Sequence, residues 1–268
     1  MGSKVIVTGA SGAMGEAITR SLAGQGYHVV MACRNLEKAE VVRSGIMSAI
    51  PKAEIEIRRL DLSSLASVRE FVEGLEGELV TALLNNAGVI SRGYSLTSDG
   101  IENTFAVNYF GPAFLTLSLL PLMPPDARIV NVVSLTCKFV KVSEKSLFPK
   151  KDDFSQLGTY ARSKLSLLRF SQELARRNPS LKVNLSDPGI VGSDMIRMGK
   201  WFDPLADALF RPLCKSPEKG AKPALAAITS DLSGKYYIGN KVTDIPRRFY
   251  NPELDSRLWD VTMRVLFP

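Results

Sequence analysis

The first 34 residues constrain the fold more tightly than any later stretch. Lys4–Thr8 (KVIVT) reads as a buried strand and runs directly into Thr8-Gly9-Ala10-Ser11-Gly12-Ala13-Met14-Gly15. A helix is predicted over Gly15–Gln25, with Ile18 and Leu22 four apart on one face, and a second strand over His28–Cys33. Two apolar strands joined through a helix pair in parallel by a right-handed crossover. A turn of small residues at the start of a helix lets backbone come close to a pyrophosphate, with open N–H groups and a favourable dipole.

The alternation continues along the chain. Helix Leu36–Ile50, strand Glu54–Leu60, helix Leu65–Glu73 and strand Thr81–Asn85 follow in turn. A long helix is predicted over Ile101–Leu120, a strand over Arg128–Ser134, a helix over Thr159–Arg177 and a strand over Lys182–Ser186. The strands are apolar nearly throughout, as helices on both faces of a sheet require. The expected fold is therefore α/β, a doubly wound, mostly parallel sheet forming a single domain over residues 1–268. Such sheets bind ligands beyond the carboxyl ends of their strands, where the motifs below all fall.

Composition narrows the function classes. The net charge is +7, but the lysines and arginines are scattered and not interleaved with aromatics, so nucleic-acid binding is not expected. The single histidine, His28, excludes a Ser-His-Asp triad and a histidine metal site. Cys33, Cys137 and Cys214 have no metal-like spacing, and an odd count without a secretory leader points to a reducing, cytoplasmic setting. The longest apolar stretch, Tyr109–Met123, is broken by Pro112 and Pro121 and falls short of the about 20 residues of a bilayer span. A homo-oligomer and a peripheral membrane contact through Leu258–Pro268 both stay open.

The second strand ends at Arg34, 19 positions after Gly15, followed by Asn35. An acid at such a position holds a ribose 2′-hydroxyl, whereas a guanidinium pairs with a 2′-phosphate. No carboxylate competes before Glu37, so NADP(H) is expected over NAD(H). Farther on, Tyr160 and Lys164 stand at i and i+4, one turn apart on one helix face. A neighbouring ammonium favours the phenolate and would bring the tyrosine into range for proton transfer to a carbonyl or from an alcohol.

Taken together, these motifs resemble the short-chain dehydrogenase/reductase family over roughly residues 4–240. The glycine turn Thr8–Gly15, Asp61-Leu62, Asn85-Asn86-Ala87-Gly88, Ser134 and Tyr160…Lys164 occur in order. By this resemblance Ser134 would hydrogen-bond the substrate oxygen and Tyr160 would exchange its proton. Lys164 would grip the nicotinamide ribose, and Asn108 would hold a relay water. Asp61 and Leu62 would flank the adenine. Asn86, Ala87 and Gly88 would line the cofactor, together with Pro188, Gly189, Ile190 and Val191 after the next strand. Two features depart from the common pattern. Ala13 makes the glycine spacing also fit Gly9, Gly12 and Gly15, as in the epimerase and dehydratase branch. Val133 replaces a frequent serine.

The 26 positions between Ser134 and Tyr160, the run Ala32-Cys33-Arg34-Asn35 and Ser-Gly-Lys-Tyr-Tyr at 233–237 are similar to the retinol dehydrogenase and protochlorophyllide reductase branch. That implies an apolar carbonyl or alcohol substrate of medium size. The apolar segment Ser193–Leu213 suggests a lid, within about 190–215, that excludes water from it. A non-catalytic NADP(H)-binding regulator and a nucleotide-sugar epimerase or dehydratase are the alternatives.

Overall fold

A computed structural model describes residues 3–191 and 215–268, so the expected lid segment 193–213 and Cys214 lie outside the described residues. β1 (Lys4–Thr8) lies inside one eight-stranded sheet, between β2 (His28–Cys33) and β4 (Ala82–Asn85), parallel to both. β3 (Ile55–Arg59) extends the sheet beyond β2, and β5 (Arg128–Val132), β6 (Lys182–Asp187) and β7 (Lys235–Ile238) extend it beyond β4, all in parallel. β8 (Lys241–Asp244) closes the far edge as the one antiparallel pairing. This is the doubly wound sheet that the sequence predicts. The chain turns from β3 back past β1 to β4, which opens a crevice at the carboxyl ends of β1 and β4.

Helices cover both faces. α1 (Ala13–Gly24) and α2 (Leu36–Ala49) pack on one, α3 (Leu65–Glu73) on the other. α1 starts two residues before the predicted boundary, with Gly12 as its N-cap.

The helix expected over Ile101–Leu120 forms but changes its winding partway along. α4 (Asn103–Phe105) leads into a wide π turn, Ala106–Phe110, and then α5 (Gly111–Leu119). The cause is Pro112, which has no N–H to give to the carbonyl of Asn108, four residues back. Gly111 instead donates to Ala106, five back. Gly111 is needed here, because a Cβ would stand 2.3 Å from the carbonyl oxygen of Leu62. Asn103–Leu122 is apolar and long enough to pass for a membrane span by composition, yet 72% of it is buried inside the fold, and Tyr109 and Phe110 are fully inaccessible. It is a core helix.

α6 (Gln156–Arg177) carries Tyr160 and Lys164, and α7 (Pro217–Ile228) packs against α1. The C-terminal stretch turns much of its apolar surface inward. α8 (Pro252–Leu266) folds back onto α6, burying Leu258, Trp259, Thr262 and Leu266. Trp259 stacks on Phe170 with ring centroids 5.2 Å apart, and the Arg177 guanidinium lies over the Trp259 ring, 4.9 Å from its centroid. Buried Asp255 accepts from Arg169 at 2.8 Å and Arg176 at 3.1 Å. The Tyr109 hydroxyl meets Thr262 Oγ1 at 2.6 Å, so α8 also fastens the π turn. Thr262→Val leaves that phenol buried without a partner and should lower stability by about 1–3 kcal/mol. A thermal melt tests it, and an unchanged midpoint would show that the bond carries no weight.

Candidate active site

The glycine turn is shaped by close approach of backbone. Gly9 has φ +64°, and a Cβ there would sit 2.9 Å from the Cα of Ala87. At Gly15 a Cβ would meet the Gly9 carbonyl oxygen at 2.2 Å, so α1 could not leave the turn at this angle with any side chain. Gly12, by contrast, has ordinary room, its nearest neighbour being 3.4 Å away. Ser11, Ala13 and Met14 complete the turn beside these glycines.

The ends of β1 and β4 are sewn together. Thr8 Oγ1 accepts the backbone N–H groups of Asn86 and Ala87, each at 3.0 Å. Asn86 Nδ2 donates to the Thr8 carbonyl at 2.9 Å, while its Oδ1 is buried with no partner among the described residues. A buried amide oxygen facing this crevice, beside a turn stripped of side chains, fits a nucleotide that supplies the missing donor.

At the end of β2 the Cys33 thiol is buried near Ser11, and burial pushes its pKa up. Arg34 is exposed immediately beyond, with no ion-pair partner among the described residues. Asn35 has a structural duty, since its side-chain oxygen caps α2 by accepting the Lys38 N–H at 2.8 Å. At the end of β3, Asp61 Oδ1 accepts from Ser63 N at 2.9 Å and Ser63 Oγ at 2.6 Å, which fixes the carboxylate, and Leu62 is buried beside it.

The proton-transfer residues converge from three elements. Ser134 follows β5, and its hydroxyl stands near the Tyr160 phenol at the start of α6, where it acts to lower the tyrosine's pKa. Thr136 Oγ1 donates to Ser134 Oγ at 3.0 Å, a support that sequence reasoning missed although the residue stands two positions on. One turn along α6, Lys164 is buried and donates to the Val132 carbonyl at 2.8 Å. Gly88 crosses directly over it, since a Cβ there would be 3.4 Å from both Lys164 Nζ and Asn108 Oδ1. Asn108 sits in the π turn and clamps the crevice. Its Oδ1 accepts Val89 N–H at 2.8 Å, and its Nδ2 donates to the Val89 carbonyl at 2.9 Å and to Ser163 Oγ at 3.1 Å.

The electrostatics differ from the sequence expectation at one point. Burial raises the Tyr160 pKa to about 12, against the Ser134 hydrogen bond, and the Lys164 ammonium does not bring it down. The same desolvation lowers Lys164 to about 8. The lysine is itself short of water here, so it gives up charge before it can stabilise a phenolate.

One residue at this end of the sheet was not given a role from the sequence. Asp187, the last residue of β6, is fully buried and accepts from Gly189 N–H at 2.9 Å and from the Tyr236 hydroxyl at 2.7 Å. The available signal was a lone charge at the end of an apolar strand, directly before Pro188-Gly189. Beyond it, Gly189 has φ +73°, Ile190 is exposed, and Val191 pairs with Lys215.

Glycine turn, strand-end serine and a tyrosine–lysine helix on a doubly wound sheet define a nicotinamide-type oxidoreductase architecture. The short chain dehydrogenase family model matches residues 3–200, and the chain belongs to that family. Within it the chain falls in the retinol dehydrogenase branch. It is 35% identical to retinol dehydrogenase 12 of Homo sapiens over 275 positions, covering 99% of this chain and 86% of that protein. It is equally similar, at 35% over 281 positions, to human retinol dehydrogenase 11, with the same coverage. Among solved structures, an uncharacterized Mycobacterium paratuberculosis protein superposes with a TM-score of 0.81 at 28% identity, over 99% of this chain and 95% of that one. A Sphingobium yanoikuyae short-chain dehydrogenase in complex with NADPH superposes at 0.69 with 20% identity, over 89% and 88%, and shares the fold.

Proposed function

We propose that this protein is an NADP(H)-dependent oxidoreductase that acts on the carbonyl or alcohol of a medium-sized apolar substrate. The convergence of Ser134, Tyr160 and Lys164 at the ends of β5 and α6, beneath Gly88, carries the reading. The cofactor supplies the hydride, and the chain supplies placement and the proton. Gly9, Gly12 and Gly15 shape the turn that offers backbone N–H groups to the pyrophosphate at the head of α1, and Asn86 Oδ1 accepts from a hydroxyl or amino group of the nucleotide. Arg34 takes the 2′-phosphate. Lys164 holds the ribose, and Ser134 and Tyr160 hold the substrate oxygen. With its phenol raised to about 12, Tyr160 is a proton donor throughout the neutral range, which supports carbonyl reduction.

The substrate class draws support from the rim. Phe139, Leu157 and Ile190 all follow strand ends or begin α6 at this end of the sheet, and they are 79%, 53% and 60% exposed. Large apolar side chains left in water around a cleft favour an apolar ligand. The related retinol dehydrogenases are named for a substrate of that kind.

NADPH oxidation against a panel of ketones, quinones and retinal-like aldehydes tests the activity. Arg34→Ala tests the cofactor: loss of a charge-assisted pair should weaken NADPH binding about 10- to 100-fold and leave NADH unchanged. Equal use of NADH by the native protein would remove the NADP(H) assignment.

A further inference from the structure

Asp187 is a buried acid that the chemistry above leaves without a task. Its two oxygens are each committed. Oδ1 accepts the Gly189 N–H at 2.9 Å, which closes the Pro188–Gly189 turn, and Oδ2 accepts the Tyr236 hydroxyl at 2.7 Å, which ties that turn to β7. Lys215 adds a third tether by donating to the Pro188 carbonyl at 3.0 Å. The register also places Asp187 against the catalytic strand. Val132 pairs with Ser186, and Val133 N donates to the Ser186 carbonyl at 2.9 Å, so Asp187 lies one strand spacing, about 4.8 Å, from the backbone that leads into Ser134.

We propose that Asp187 is a positioning residue of this site: its carboxylate fastens the cofactor-side turn to β7 and places a negative charge one strand over from the backbone that leads into Ser134, where it favours the proton-donating form of the site. The inference rests on the functional reading above. The groups that act on Tyr160 are Ser134 at the end of β5, Cys137 in the turn after it and Asp187 at the end of β6, while Lys164, one turn along the same helix, directs its ammonium to the Val132 carbonyl. Cys137 is a buried thiol held neutral, with its pKa pushed up to about 12. Among these groups Asp187 is the acid, and it opposes loss of the Tyr160 proton. Tyr236 is buried and donates a hydrogen bond to Asp187, which also accepts from the Gly189 N–H, so the carboxylate is met by protein donors and not by water. An anion at this place resists a phenolate and so biases the site toward delivering a proton to a carbonyl oxygen.

Two variants separate the tasks. Asp187→Asn keeps the size and removes the charge, whereas Tyr236→Phe keeps the charge and removes the anchor. With a fluorotyrosine at position 160, whose phenol ionises well below that of tyrosine, the 19F shift follows ionisation in a pH range where the protein is folded. Asp187→Asn should move the midpoint to lower pH, and Tyr236→Phe should not. Asp187→Ser, smaller but still able to accept from Gly189 N–H, makes the same test if the asparagine variant does not fold. Tyr236→Phe should raise the Kd for NADPH several-fold by loosening the turn. An unchanged midpoint on loss of the charge, or an unchanged Kd on loss of the anchor, overturns the proposal. The titration needs neither cofactor nor substrate. Failure of the native protein to bind NADPH would count against the function proposed above and leave the titration standing.

Discussion

Replacing Tyr160 by Phe should lower kcat/KM for carbonyl reduction by about 10³-fold, within the 10² to 10⁴ that a positioned general acid supplies. NADPH affinity should stay within a few-fold of native, because the cradle at the head of α1 and the Asn86 amide are untouched by the change. Folding should also survive, since Ser134 Oγ keeps its Thr136 partners at 3.0 and 3.3 Å. The check is steady-state NADPH oxidation beside a direct binding titration. Turnover that persists at the native rate would remove Tyr160 from the mechanism.

Lys164→Met should have an effect of similar size on turnover and the opposite sign on stability. The ammonium is desolvated, and its pKa falls from 10.5 to about 8. Below about pH 8 the folded protein must hold this charge in a place that disfavours it, while the unfolded chain holds it in water. The difference costs up to about 3 kcal/mol of stability at neutral pH. Methionine fills a similar length without charge but leaves the Val132 carbonyl without its donor, so the net gain should be about 1–2 kcal/mol. As pH rises from 8 toward 10.5 the native protein sheds the proton and the cost fades, so the two melting temperatures should converge. Denaturant melts of both proteins at pH 7 and pH 10 check the sign. A variant less stable than native at pH 7 would contradict it. In the native protein kcat/KM for reduction should fall as pH rises through about 8, because the lysine then loses the charge that holds the ribose and recharges the phenol. A functional charge that is costly to fold is the ordinary bargain of an active site.

Much of the site was legible as pattern. Gly9 and Gly15 are glycines for a reason the sequence context already suggests, since a turn between a buried strand and a helix leaves no volume for side chains. Ser134, Tyr160 and Lys164 announced themselves by position: a strand end, a helix start, one turn of spacing. Asn108 is different. Its side chain serves because the helix widens into a π turn at Ala106–Phe110, and that widening follows from Pro112 and from the closeness of Gly111 to Leu62, the second a contact between residues far apart in the chain. Asp187 shows the same limit. Its identity could be read as an odd charge, but its partners, Gly189 and Tyr236, meet it only across the sheet. The C-terminal helix went the same way, because an amphipathic stretch does not say which apolar surface it will cover, and here α6 offers Phe170 to Trp259.

What the sequence determined by itself was therefore local and periodic. Apolar strands alternating with helices forced a parallel, doubly wound sheet, and the glycines at the first turn let backbone pack where a side chain would not fit. Tertiary structure decided the energetics. It left Tyr160 half-buried beside a fully buried Lys164, so that desolvation, which depends on everything packed around a group, outweighed the single neighbouring charge that the spacing had brought into view.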